Sequence, residues 1–168
     1  MDAAFSLRPI QPEDDEFLYR VYASTRSDEL APVPWSDEQK DAFLRMQFAA
    51  QHRHYRENYT ASSFDVVMVG GEPAGRLYVA RWPEELRIID VTILPEYRRR
   101  GIGTAVLARV REEAAGRGLP VRIHVERANP ARALYQRLGF RVVADRGVYL
   151  FLEWRAVLTP ARPAETRE

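Results

Sequence analysis

Apolar residues recur with helical spacing over the first third of the chain. Pro12-Glu13-Asp14 suits a first helical turn, where proline is tolerated and acidic side chains face the positive end of the helix dipole. A helix is predicted from there, with one apolar face made of Phe17, Leu18, Val21 and Tyr22. Prolines in the segment 31–34 end it. Ser36 and Gln39 have the spacing of a capping box, which predicts a second helix running towards Arg56.

From residue 64 the pattern changes to short β-branched and apolar segments. Strands are predicted over 64–69 and 74–80, and Gly70-Gly71 between them predicts a tight hairpin turn. On the next strand, 86–94, alternation places Ile89, Val91 and Ile93 on one face and Ile88, Asp90 and Thr92 on the other. The remaining predicted elements are a helix over 103–116, a strand over 121–125, a helix over 130–138, and a hairpin of 140–144 with 148–154.

Length and composition limit the class of protein. The 168 residues favour one domain, which we expect over 1–158, and the polar segment 159–168 is expected to be a disordered tail. The absence of cysteine excludes disulfides, zinc–thiolate sites and cysteine nucleophiles. No apolar run approaches the roughly 18 residues of a membrane span. Residues 1–8 lack the apolar stretch of a secretory signal, so a cytoplasmic location is expected.

The most informative segment lies between Ile93 and Thr104, where a strand ends, a short loop follows and a helix begins. Gly101 and Gly103 let the backbone curve closely round a ligand, and the N–H groups of the first helical turn point into that concavity. Together with the helix dipole and the neighbouring side chains of Arg98, Arg99 and Arg100, the arrangement suits a pyrophosphate. The alternative is a tight strand-to-helix turn with three solvated arginines.

Two other phosphate-binding loops fit this segment poorly. A Walker A loop needs lysine and then serine or threonine after its last glycine, but Thr104 and Ala105 follow Gly103. A Rossmann fingerprint needs a third glycine where Val106 stands, and it opens a parallel sheet, whereas the preceding strands have the pattern of antiparallel hairpins.

Two motifs give the chain a resemblance to the GNAT acyltransferases. Arg98-x-x-Gly101-x-Gly103 matches the acyl-CoA loop of that superfamily, and the segment Asn129 to Phe140 resembles its second signature, with Tyr135 and a closing Gly139-Phe140. The resemblance is good over 64–154 and weaker before it. It implies an α/β (α+β) fold: a mixed, mostly antiparallel sheet of about six to seven strands with flanking helices. Two neighbouring strands, 86–94 and 121–125, are expected to splay apart and hold acyl-CoA.

The resemblance also implies a chemistry and a set of roles. An amine attacks the thioester of acetyl-CoA directly, so neither a protein nucleophile nor a metal is required. Backbone groups near Val91 and Ile93 are expected to pair with the pantetheine arm, and the N–H groups from Arg99 through Ile102 to Thr104 are expected to hold the pyrophosphate. Tyr135 is expected to protonate or hydrogen-bond the leaving thiolate, although it could instead be a packed helix residue. Asn129 and Arg132 are expected to make further cofactor contacts, although an asparagine before proline is also an ordinary helix cap.

The general base is left open among several groups. Asp90 lies on the central strand, but a carboxylate works well near neutral pH only with burial or a water relay. His124 and Glu126, at the end of the neighbouring strand, compete with it. Asp90 could alternatively be the buried partner of an arginine such as Arg76 or Arg87. His52 and His54 are two residues apart on a helix and cannot share a face, so no metal pair is expected.

The acceptor and the partners are less defined by the sequence. A primary amine of a small molecule or peptide is expected, with a non-catalytic acyl-CoA sensor as the alternative. A net charge of +1 gives no field that draws the chain to nucleic acid or membrane, and no aromatic platform accompanies the arginine triplet. A monomer or a homodimer is expected.

Overall fold

Seven strands form one mixed sheet in the computed structural model, which describes residues 3–59 and 61–157. Their order across the sheet is β1-β2-β3-β4-β5-β7-β6. The strands are β1 (Ser6–Pro9), β2 (Ser62–Val69), β3 (Glu72–Arg81), β4 (Leu86–Ile93), β5 (Val121–Glu126), β6 (Arg141–Arg146) and β7 (Tyr149–Trp154). The predicted fold class, a mostly antiparallel sheet of six to seven strands with flanking helices, is confirmed. The tail predicted over 159–168 lies outside the described residues.

Among the described residues, four α-helices flank the sheet: α1 (Asp15–Leu30), α2 (Asp37–Asn58), α3 (Ile102–Arg117) and α4 (Arg132–Arg137). The capping box at α2 is confirmed, because Ser36 Oγ accepts from the Gln39 N–H at 3.1 Å and Gln39 Oε1 accepts from the Ser36 N–H at 2.9 Å. α3 ends at Gly118, whose left-handed φ of 67° suits a helix C-cap. Within the described residues, no helix is long and apolar enough to cross a membrane.

The two faces of the sheet are covered by different helices. α3 and α4 pack on one face and share the main core with apolar residues of the strands, including Leu77, Val79, Ile88, Val106, Leu107, Ile123 and Tyr135. α1 and α2 lie over the other face, where Tyr55 of α2 packs edge-on against Tyr78 of β3. A second apolar cluster, made of Tyr19, Tyr22, Leu44 and Phe48, joins α1 to α2.

The β4–β5 contact differs from every other strand pair in the described sheet, because it is parallel and short. Only three register pairs join these strands, from Leu86↔Val121 to Ile88↔Ile123. Beyond Ile88 and Ile123 the two strands have no further register pairs, which agrees with the splay that the family resemblance implied. The opening between them is bounded by the second half of β4 and the end of β5.

A bulge at Ile89 corrects one prediction made from alternation. Tyr78 pairs with Asp90, but the next β3 residue, Val79, pairs with Ile88, so Ile89 is an extra residue on β4. The bulge shifts the alternation by one position, and Ile88 joins Val91 in the core on the α3 face. The prediction that Ile88 shares a face with Asp90 is therefore wrong, whereas Asp90 and Thr92 do share the opposite face.

Candidate active site

The opening between β4 and β5 exposes backbone groups of β4. The Leu94 N–H donates to the Ala74 carbonyl on β3 at 2.8 Å. In an antiparallel pair such bonds alternate from residue to residue, so Val91 and Ile93 turn their N–H and C=O groups away from β3 and towards the opening. No β5 residue is in register with either of them. An extended ligand arm could therefore add to β4 here as a strand does.

A tight loop leads from β4 into α3. Arg99 and Gly101 both adopt left-handed backbone conformations, with φ of 63° and 75°, and they turn the chain sharply. The first helical hydrogen bond runs from the Ala105 N–H to the Gly101 carbonyl at 3.0 Å, and no side chain caps the helix start. The N–H groups of Ile102, Gly103 and Thr104 precede this bond and face outward from the helix end, which is the geometry of an anion site.

Gly101 and Gly103 are required for different reasons. Gly101 has a positive φ, a backbone conformation that residues other than glycine adopt only with strain. Gly103 has ordinary helical geometry, and a Cβ built there would lie 3.7 Å from Leu134 Cδ2, an ordinary contact. Glycine inside a helix costs about 0.5–1 kcal/mol relative to alanine. The described fold gives no reason for it at Gly103, whereas close approach of a ligand to the backbone does.

The three arginines of the loop are placed differently. Arg98 Nε donates to the Ile93 carbonyl at 3.0 Å, so its side chain ties the loop to the end of β4. The Arg100 guanidinium lies 5.3 Å from the centroid of the Tyr97 ring. Arg99 and Arg100 are exposed, and they remain the candidates for side-chain contact with phosphates.

Tyr135 lies on α4 within the main core, and its ring packs edge-on against Phe140 with centroids 5.6 Å apart. Burial, and then the negative charge of Asp90, raise the pKa of Tyr135 above its ordinary value. The phenol therefore keeps its proton throughout the neutral range. A protonated hydroxyl is the state that can donate to a developing thiolate.

Asn129 and Arg132 both make contacts within the protein. Asn129 Oδ1 accepts from the Ala131 N–H at 2.8 Å, so the side chain caps the turn that leads into α4. Arg132 Nη1 donates to the Arg127 carbonyl at 2.8 Å. The capping role considered for Asn129 is present, and a cofactor contact by either residue stays a prediction.

Asp90 is paired with Arg76, one of the two arginines that the sequence offered. Arg76 Nη2 donates to Asp90 Oδ2 at 2.8 Å, and Thr92 Oγ1 donates to Asp90 Oδ1 at 2.7 Å. Arg76 also donates to Gln51 Oε1 on α2 at 3.2 Å, which links the helix to this face of the sheet. The pairing is compatible with a base role but does not test it.

His124 and Glu126 lie on the same face of the sheet as Asp90, at the end of β5. Glu126 Oε1 is 3.4 Å from Arg26 Nη1 of α1, which brings that helix to the edge of the opening. The His124 ring stacks on Phe151 with centroids 4.5 Å apart. Burial, and then the nearby charges of Arg87 and Arg146, lower the pKa of His124, so the ring is neutral near pH 7.

Sequence reasoning missed most of the side chains that hold these candidates in place. Arg76 was only one of two possible partners, although a charged residue within the apolar run of β3 is a usable signal. Arg26 gave no such signal, because its partner Glu126 is 100 residues away in the chain. Several aromatic residues of the helical layer and the loops beside it pack against one another, as in the pairs Trp35–Phe43 and Tyr59–Trp82.

A separate groove of about 530 Å³ lies between α1 and α2. Tyr19, Phe48 and His52 form part of its lining, with charged residues such as Glu16 and Arg56 around them. None of the residues at the β4–β5 opening lines it. The backbone groups of β4 and the loop before α3 therefore lie outside this groove.

Comparison with known proteins identifies the family of the chain. The family model described as "Acetyltransferase (GNAT) family" matches residues 18–140, which is most of the chain. The chain therefore belongs to the GNAT acetyltransferase family.

Solved structures of acetyltransferases have the same fold. PaiA N-acetyltransferase from Thermoplasma acidophilum, in complex with coenzyme A, is 19% identical, with a TM-score of 0.69 over 91% of this chain and 99% of that one. An acetyltransferase from Thermus thermophilus is 23% identical, with a TM-score of 0.66 over 93% and 100%. The ribosomal-protein-S18-alanine N-acetyltransferase from Escherichia coli is 17% identical, with a TM-score of 0.61 over 95% and 99%.

Proposed function

We propose that this chain transfers an acetyl group from acetyl-CoA to a primary amine by direct attack in a ternary complex. The observation that carries the proposal is the β4–β5 opening, which ends at the uncapped start of α3 and has Tyr135 in the adjoining core. A ligand with an extended arm and a pyrophosphate suits both features. The structurally similar Thermoplasma protein was solved in complex with coenzyme A, which supports a coenzyme A derivative as the ligand of this chain.

The geometry of the opening supports a set of residues that would hold acetyl-CoA. Backbone groups of Val91 and Ile93 would pair with the pantetheine arm, and the N–H groups of Ile102, Gly103 and Thr104 would hold the pyrophosphate. Arg99 and Arg100 would add side-chain contacts, while Arg98 keeps the loop in place through Ile93. Asn129 and Arg132 would make further contacts with the cofactor.

Three tasks remain for the protein once an acyl thioester is bound. Backbone N–H groups of β4 can stabilise the carbonyl oxygen as it becomes negative. Tyr135 can donate its proton, or a hydrogen bond, to the departing sulfur. For the ammonium proton we assign Asp90, directly or through water, ahead of His124 and Glu126. Asp90 is on the strand that presents Val91, whereas His124 and Glu126 are on β5, across the opening.

Calorimetric titration of CoA into the Gly103→Val variant tests the binding site. A Cβ at Gly103 makes only an ordinary contact with Leu134, so the variant should fold but lose CoA affinity by at least roughly tenfold. Gly116→Val is the matched control, since Gly116 belongs to the same helix and a Cβ there meets nothing within 4 Å. Unchanged affinity in folded Gly103→Val would remove the phosphate-loop assignment.

Amine-dependent thiol release from acetyl-CoA then separates an enzyme from a sensor. An acyltransferase should release CoA faster when a suitable primary amine is added, and the release should be saturable. A chain that binds acetyl-CoA but acetylates nothing across a broad amine library would instead be the non-catalytic acyl-CoA-binding module.

A further inference from the structure

The sheet face that carries Asp90 continues across β5, β7 and β6. Strand pairing places His124 of β5 opposite Phe151 of β7, and Tyr149 of β7 opposite Arg146 of β6. Ile123, which precedes His124, is the last β5 residue paired with β4. His124 therefore lies at the edge of the opening, on the side from which an acceptor would reach Asp90.

Arg146 reaches this edge from two strands away. Its guanidinium carbon lies 4.6 Å from the centroid of the Phe151 ring, so the side chain crosses back over β7. Its Nη1 is 2.6 Å from His124 Nε2 on β5. Because His124 is neutral near pH 7, its Nε2 can accept a hydrogen bond from the Arg146 guanidinium. This hydrogen bond fixes the orientation of the guanidinium. The Arg146 guanidinium is thus held beside the opening, although the Arg146 backbone lies on the edge strand β6.

The charge of Arg146 has no carboxylate partner among the described residues. The carboxylates of this region are each engaged by another arginine: Glu126 by Arg26, Asp145 by Arg127, Glu85 by Arg87, and Glu153 by Arg122 and Arg155. The Arg146 side chain is exposed, and it gives one nitrogen to His124 and keeps its other donors. A guanidinium placed in this way can bind a carboxylate with two parallel hydrogen bonds.

We propose that Arg146 binds the carboxylate of the acceptor, and that the amine substrates of this chain are therefore amino acids. The inference rests on the proposed acetyl transfer and names its substrate class. The amino group would point into the opening, towards the acyl carbon and Asp90. The carboxylate would stay at the edge, where Arg146 is oriented by His124 and supported by the Phe151 ring.

Matched pairs of acceptors test the proposal directly. We would measure thiol release from saturating acetyl-CoA with L-phenylalanine and L-phenylalaninamide, and with β-alanine and β-alaninamide. Replacing Arg146 by Gln should lower kcat/KM for the acids by roughly 10- to 100-fold, the loss expected for charge-assisted hydrogen bonds. The amides should change by less than about twofold. Comparing each acceptor between variant and wild type cancels the different basicities of the amines.

Arg141→Gln is the control for net charge, because Arg141 is an exposed arginine of the same strand. Equal losses with acid and amide acceptors, or the same loss in Arg141→Gln, would overturn the proposal. So would full retention of acid turnover in Arg146→Gln.

A binding measurement keeps the test independent of turnover. With the protein saturated with CoA, calorimetry should show tighter binding of N-acetyl-L-phenylalanine than of its amide, and the preference should vanish in Arg146→Gln. If CoA binds but the acid is not preferred, the amino-acid assignment fails and the acetyltransferase proposal stands. If CoA itself does not bind, the proposed function fails.

Discussion

Arg76 Nη2 and Asp90 Oδ2 lie 2.8 Å apart, joining β3 to β4 beneath α2. The Arg76 side chain is only 2% exposed, and its Nε and Nη1 are buried without a hydrogen-bond partner in the described part of the chain. Asp90 is thus the one carboxylate that meets this buried cation in that part. Any change at Asp90 alters the proposed base and the charge balance of the sheet together, so the two effects must be separated by experiment.

The Asp90→Asn variant should lose about 3–5 kcal/mol of unfolding free energy, because it leaves the Arg76 charge buried and unpaired. Urea denaturation would measure the loss. Adding Arg76→Met should restore most of it, since the buried charge is then gone. Asp145→Asn breaks an exposed ion pair with Arg127, whose charges solvent screens, and should cost far less stability. If Asp90→Asn is as mild as this control, the pairing matters little to stability.

The same double variant tests whether Asp90 is the general base. Arg76→Met/Asp90→Asn should keep most of the wild-type stability but transfer acetyl groups roughly 10²- to 10⁴-fold more slowly near pH 7, the contribution typical of a positioned base. Steady-state thiol release with a good acceptor would show it. Turnover close to wild type would assign deprotonation to His124, Glu126 or water.

Tyr135→Phe should lower kcat by roughly 10²- to 10⁴-fold with little change in CoA affinity, because the hydroxyl is proposed to act on the leaving sulfur in the transition state. The ring is kept, so its packing against Phe140 and the stability of the fold should persist. Full turnover in Tyr135→Phe would mean that another group protonates the thiolate. Thr92 and Tyr149 are the next hydroxyls to replace.

Tyr78→Phe should increase stability at neutral pH. The Tyr78 hydroxyl is buried without a hydrogen-bond partner within the described residues, and an unsatisfied buried hydroxyl costs about 1–3 kcal/mol. Chemical denaturation at pH 7 would measure the gain. Tyr149→Phe is the matched control, because Tyr149 is 45% exposed and its hydroxyl is available to water. A loss of stability in Tyr78→Phe would indicate that the hydroxyl has a partner in solution.

Tyr78 also makes the fold sensitive to alkali. Burial raises its pKa to about 12, and the neighbouring Arg76 guanidinium opposes the rise without meeting the hydroxyl at hydrogen-bond geometry. Above pH 10 the unfolded chain therefore loses this proton before the folded chain does, and the free energy of unfolding falls as pH rises towards 12. The decline between pH 9 and 11 should be shallower in Tyr78→Phe. Equal slopes would contradict the raised pKa.

The loop arginines should separate into a structural and a phosphate-binding class. Arg98→Gln should weaken CoA and dephospho-CoA equally, because it releases the loop from Ile93 without touching the 3′-phosphate. The wild-type protein should bind dephospho-CoA more weakly than CoA, because dephospho-CoA lacks the 3′-phosphate. If Arg99 or Arg100 contacts that phosphate, the difference in affinity between CoA and dephospho-CoA should be smaller in the corresponding Gln variant. Fully additive losses in both cycles would exclude a direct contact by either side chain.

Local sequence signals predicted the elements well where they were self-contained. The capping box at Ser36 and the glycine turn at Gly70-Gly71 were both correct. The predicted helix over 130–138 proved shorter, and β1 was missed because it has only four residues at a sheet edge. Such a strand is held by its neighbour and not by its own pattern.

Contacts between distant segments could not be predicted from the same signals. The bulge at Ile89 depends on the register with β3, which alternation along one strand does not encode. The arrangement of Arg146 over Phe151 requires two strands to be side by side first. The tight turn from β4 into α3 was predicted correctly, since glycines at fixed spacing constrain the backbone locally.

The short ladder between β4 and β5 also has a thermodynamic consequence. It joins two antiparallel halves of the sheet, β1–β4 and β5–β7–β6, through three register pairs. A ligand arm hydrogen-bonded along β4 would extend that junction in the native state only. A ligand that binds only the native state raises the free energy of unfolding by about 2.7 kcal/mol when its free concentration is a hundred times the dissociation constant. The melting temperature would then report ligand supply, and the chain would resist thermal unfolding and proteolysis best where acetyl-CoA is abundant.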